Sequence, residues 1–134
     1  MVRAFILLFL VMSLNFSPAL SQQSKDYVDV ETLAKEFVSF LSHEQFQAAV
    51  EYFDKVMKAA MPAETLAEIW KTITIQLGPF KSQKDTEVKK FKEHNYEIVF
   101  VTCEFERLTM DIKLIFNDKK QISSMSFVTQ RPKE

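Results

Sequence analysis

Few side chains in this 134-residue chain are suited to covalent or metal chemistry: Cys103 is the only cysteine, and His43 and His94 are the only histidines. A thiol beside an imidazole can become a nucleophile. Cys103, however, alternates with Val101 and Phe105, which makes it one face of a strand and a small buried hydrophobe rather than a reactive thiol. His43-Glu44-Gln45-Phe46-Gln47 resembles the start of a zinc-protease helix but lacks the second histidine one turn later, so no pair of imidazoles can grip one ion. His94 sits in Glu93-His94-Asn95, a turn composition remote from His43 in sequence. Two unrelated histidines and one cysteine do not make a metal cluster. Gly78 is the only glycine, which excludes a glycine-flanked serine elbow and a phosphate-cradling loop. The sequence therefore predicts no catalytic residue, no metal site and no cofactor.

Two further groups bear on binding. Lys81, Lys84, Lys89, Lys90 and Lys92 crowd one segment, but Asp85, Glu87 and Glu93 interleave with them. Such a pattern reads first as an edge strand kept from aggregating by charge, and second as an anionic-ligand surface. Trp70 and Ile73 share a helix face and are the candidate lining of an apolar ligand cavity, although the same spacing with Leu66 makes Trp70 a core anchor.

The elements that must position these residues follow from periodicity. Asp29 caps a first helix carrying Val30, Leu33, Phe37 and Phe40 on one face. Ser42-His43-Glu44-Gln45 fits a capping box for a second helix with Phe46, Ala49, Val50 and Phe53. Asp54 can restart or bend that helix, and Val56, Met57 and Ala60 continue its apolar side. Pro62 suits the first turn of a third helix, with Leu66, Ile69, Trp70, Ile73 and Leu77 repeating to its end. Gly78 and Pro79 then act structurally: glycine takes a left-handed stop and proline prevents the helix from resuming. Residues 80–92 read as an exposed strand or strand pair. In the next strand Val99, Val101, Cys103 and Phe105 point one way and Tyr96, Ile98 and Phe100 the other, so both faces are apolar in the middle. Leu108, Met110, Ile112, Leu114 and Phe116 alternate with polar residues, Asn117 to Lys120 is turn chemistry, and Ile122 to Val128 is a last strand. Helices followed by strands imply an α+β domain over residues 30–130, with N-terminal helices packed on a curved antiparallel sheet of about four strands.

Composition narrows the setting. Lys and Arg number 17 against 18 Asp and Glu, which is not the basic excess of a nucleic-acid binder. In residues 1–21 Arg3 supplies a positive start, an apolar run follows from Ala4 to Leu14, and Ala19-Leu20-Ser21 comes after Pro18. This is the pattern of a secretory signal cleaved before Gln22, with 22–29 a polar flexible leader. The apolar run is shorter than the ~20 residues of a spanning helix, so the mature chain is expected to be secreted or periplasmic, with no stable membrane insertion. A single cysteine leaves an exported chain without an internal disulfide, so the apolar core alone must hold it together.

The ordered segments AKEFVSFL, FQAAVEYFDKVMKAAMP, ETLAEIWKTITIQLGPF and VTCEFERLTMDIKLIFNDKKQISSMSF resemble the domain-of-unknown-function family numbered 3887. The resemblance runs over about residues 30–128. Family members usually carry glycine where this chain has Arg107 and Ser124. The resemblance implies a cone-like fold of the nuclear transport factor 2-like type, standing alone behind a signal peptide or fused ahead of an α/β-hydrolase, with no established activity. This chain has no room for a hydrolase, so such a partner would be a separate polypeptide. Besides an accessory, regulatory role toward such a separate hydrolase, two functional readings stay open. One is a non-catalytic binding or assembly module that meets a second copy through Tyr96, Ile98 and Phe100. The other is a carrier or isomerase-like protein holding a small apolar ligand beside Trp70 and Ile73.

Overall fold

A computed structural model describes residues 28–91 and 93–129 of the chain. Helix α1 spans Val30–Ser42, α2 Phe46–Ala49, α3 Lys55–Ala60 and α4 Ala63–Leu77, with a 3-10 turn at Val50–Tyr52 after α2. Strands β1 (Phe80–Phe91), β2 (Tyr96–Phe105), β3 (Thr109–Phe116) and β4 (Ile122–Val128) follow. They form one antiparallel meander in the order β1-β2-β3-β4, so the molecule is an α+β domain with its helices ahead of its sheet. The expected signal segment and most of the leader lie outside the described residues.

Asp29 caps α1 as its sequence requires, its carboxylate accepting from the Thr32 amide at 2.8 Å. The buried face of that helix is Val30, Ala34, Phe37, Val38 and Leu41. Leu33 and Phe40, expected to share the core face with Val30 and Phe37, are only half-buried at its margin. The capping box at Ser42 does not form. Glu44 instead takes a positive φ of 56°, its amide bonds to Leu41 O at 3.0 Å, and the Gln45 amide bonds to Phe40 O at 2.8 Å. That pair of bonds is a Schellman stop, so the segment ends α1 rather than starting α2 through its side chains.

The expected second helix is broken in two. Phe53 is extended and pairs in parallel with Ile122, and the Asp54 amide donates to Ile122 O at 2.9 Å. Asp54 then restarts the chain as α3, its carboxylate accepting from the Met57 amide at 2.7 Å. Helix α3 has no fully buried residue: of the apolar face expected there Met57 packs against the core, while Val56, 79% exposed, and Ala60 do not. Pro62 is the residue that caps α4 from just outside its first turn, and its fixed φ suits that place.

Residues 80–91 form a single long edge strand with two register shifts, not a strand pair. The inner sheet face carries Val99, Val101, Cys103 and Phe105 from β2, opposite Leu114, Ile112 and Met110 of β3. These meet Phe37, Leu41, Leu66 and Trp70 of the helices in one core. Leu108 falls in the β2–β3 turn and is exposed, because β3 starts one residue later than the alternation suggests. Arg107 needs no glycine geometry: the positive-φ non-glycine residues among those described are Glu44, Asn95 and Lys120. Its side chain instead caps α4, donating to Ile75 O at 3.0 Å, while its amide donates to Leu77 O at 2.8 Å.

Candidate functional site

The inward-facing thiol is chemically quiet. Cys103 is fully buried, its S–H directed at Val101 O at 3.6 Å, and burial with the nearby Asp111 charge pushes its pKa up to about 12. A thiol that holds its proton is a poor nucleophile at neutral pH. His43 is exposed at the end of α1, its Nδ1 donating to Ser39 O at 2.7 Å. His94 stacks on Tyr96 in the β1–β2 turn, with ring centroids 5.7 Å apart. Among the described residues no three His, Cys, Asp or Glu side chains gather as a metal site.

Trp70 is buried against Phe105 and Phe80, at 5.7 and 6.0 Å between ring centroids, as a core anchor. One edge of it reaches an open depression of about 370 Å³ bordered by Ser42, Thr74 and Pro79. Ile73 opens on a different depression, of about 300 Å³, with Ile69 and Thr65. Among the described residues Trp70 and Ile73 thus border separate depressions.

On the outward sheet face, Phe91 and Tyr96 stack at 5.1 Å across the β1–β2 pair. Ile98 is half-buried beside Lys89 and Ile115 in the register. Phe100 is only 2% exposed, and the Lys89 ammonium lies 5.8 Å from its ring centre. Lys84 bonds to Glu104 at 2.7 Å, so part of the lysine cluster is spent within the sheet; Lys92 lies outside the described residues.

A groove of about 590 Å³, which sequence reasoning missed, lies between α1, the α2 and 3-10 segment, and the β3–β4 turn. Its apolar lining is Val28, Leu33, Phe40, Ala48 and Tyr52. The Phe40 and Tyr52 rings stand 5.9 Å apart and tilted by 47°. Tyr52 donates its hydroxyl to Glu36 Oε2 at 2.7 Å; partial burial first, then this acceptor, raise the phenol's pKa well above the ordinary value. The turn wall is set by Asn117, whose Oδ1 accepts from the amides of Lys119 and Gln121, and by Lys120, whose ammonium donates to Val28 O at 3.0 Å. The sequence did hold one clue: Leu33 and Phe40 are seven residues apart with Glu36 between them, a stripe that reads equally well as core.

The fold and this lining define an α+β domain with a preformed apolar groove and a buried, protonated thiol. The chain belongs to the DUF3887 family, described as proteins of unknown function, whose model matches residues 34–125. No curated protein and no solved structure matches it. Among the described residues no helix is long and apolar enough to cross a membrane.

Proposed function

We propose that this chain is an exported, non-catalytic binding module that takes a small apolar ligand in the groove between α1, the 3-10 turn and the β3–β4 turn. The groove carries this reading. Its volume falls in the ~300–1,000 Å³ range of small-molecule sites, and the larger part of its surface is apolar, with Glu36, Glu51 and the β3–β4 turn residues 118–121 supplying the polar part. Export rests on the pattern of residues 1–21 and is tested by N-terminal sequencing of the protein from the cell envelope or medium: a chain starting at Gln22 supports it, and one retaining Met1 or Arg3 removes it. Binding is tested by titrating the full chain with n-decanol and following side-chain NMR signals. Saturable shifts at Leu33, Phe40 and Ala48 support the groove, and their absence counts against it.

A second reading, assembly with another copy through the outward sheet face, is favoured by the exposed Phe91, stacked on the half-buried Tyr96 with Ile98 beside it. Sedimentation velocity at micromolar concentration decides it. A strict monomer removes this reading and leaves the groove untouched.

A further inference from the structure

We propose that the groove's ligand is an amphiphile with a cationic head, an alkyl chain ending in an organic ammonium. The inference rests on the groove reading above and adds the chemical class of the ligand. Phe40 and Tyr52 present two tilted aromatic rings on the helical wall. Aromatic faces carry negative electrostatic potential and attract ammonium groups, most strongly where water is partly displaced. Beside them the Tyr52 hydroxyl holds the Glu36 carboxylate in place at 2.7 Å. Lys35, the neighbouring cation on α1, pairs with Glu31 instead, at 2.9 Å, and Glu36 makes no ion pair among the described residues. Glu51 adds a second carboxylate on the same wall, already bonded to Lys58 at 2.7 Å.

The opposite rim carries Lys119 and Lys120, which would favour an anion if they faced the ligand unopposed. Lys120 has its ammonium directed at the Val28 carbonyl, and Asp118 lies beside Lys119 on the same turn. The helical wall therefore supplies a carboxylate with aromatic neighbours, while on the turn the Lys120 ammonium is held at the Val28 carbonyl and Asp118 shares the rim with Lys119. An anionic head against the first wall would face the Glu36 carboxylate, which no ion pair neutralises among the described residues, whereas Lys58 already offsets Glu51.

The test uses three probes sharing one ten-carbon chain: decyltrimethylammonium, n-decanol and decyl sulfate, each titrated into the full chain at low ionic strength below its micelle concentration. We expect the ammonium to bind about tenfold tighter than decanol, and decyl sulfate to bind weakest. Glu36→Gln, which retains an acceptor for Tyr52, should shrink the ammonium-to-decanol affinity ratio to about threefold or less. Tyr52→Phe, which releases the carboxylate, should shrink the ratio in the same direction. If decanol or decyl sulfate matches the ammonium, the cationic class is overturned while the groove reading stands. If none of the three probes moves the Leu33, Phe40 and Ala48 signals, the groove reading fails and this proposal with it.

Discussion

At the residue scale, Gly78 has a backbone that no other residue type shares cheaply. Its φ of 82° and ψ of 177° lie in the mirror image of the extended region, not in the left-handed helical well that its place after α4 suggests. A Cβ there would also meet the Glu106 Cβ at 2.7 Å. Gly78→Ala is therefore expected to cost at least about 2 kcal/mol, a melting-point loss of roughly 10 °C by calorimetry for a domain of this size. Adding Glu106→Gly should restore the steric share and leave the backbone share; an unchanged melting point in the single variant would refute the account. Cys103 makes a second prediction. Its thiol is raised by burial from the ordinary 9.0 to about 12. The unfolded chain thus loses this proton first as pH rises, so the thiol's contribution is intact below about pH 9 and lost progressively up to about 12. Urea unfolding at stepped pH should show a steeper alkaline decline in the wild type than in Cys103→Ala. Equal slopes would contradict a buried thiol.

At the element scale, what was legible in the sequence is what local chemistry decides. Asp29 and Asp54 start helices because a carboxylate can reach an amide three residues on, and both do so. The alternation of Met110, Ile112, Leu114 and Phe116 fixes the face of β3 without help from elsewhere. The misread elements depend on partners far away in sequence. Asp54 offered either a bend or a restart of the second helix; the pairing of Phe53 with Ile122, which residues 42–60 alone do not show, goes with the restart. Leu33 and Phe40 border a groove instead of filling the core because the β3–β4 turn is tethered beside α1 through Lys120 and Val28, 92 residues apart. Ser42-His43-Glu44-Gln45 satisfies a start pattern and a stop pattern equally, and the stop prevails because α1 already supplies the Phe40 and Leu41 carbonyls. That stop uses glutamate where helices prefer glycine, with φ at 56°. Glu44→Gly should thus stabilise the domain by several tenths to about 1 kcal/mol, the left-handed relief exceeding the added freedom of the unfolded chain. Urea midpoints would check it, and a lowered midpoint would mean that Glu44 makes a contact of greater worth.

For the whole molecule, the issue is whether the sheet's outward face belongs to the monomer or to an assembly. A sheet backed by helices on one side usually shows water a polar outer face. Here the middle of that face is closed over: Phe100 is covered by Lys89, and Thr102 donates to Asp111 Oδ1 at 2.5 Å across β2 and β3. Tyr96 and Ile98 lie nearer one end, half-buried, with Phe91 exposed beside them. A residue packed within one chain and a residue packed between two chains differ in how their loss depends on concentration. Phe100→Ala should lower stability by about 3 kcal/mol or more, the cost of emptying a buried aromatic site, and by the same amount at every protein concentration. Tyr96→Ala should cost far less in a monomer. In an assembly, the wild-type melting point would rise with concentration and Tyr96→Ala would flatten that rise. Calorimetry of both variants over a hundredfold range of concentration separates the cases. A Phe100→Ala penalty that vanishes on dilution would assign the middle of the sheet to an interface, whereas a constant penalty leaves only the Phe91–Tyr96 end available to a second copy.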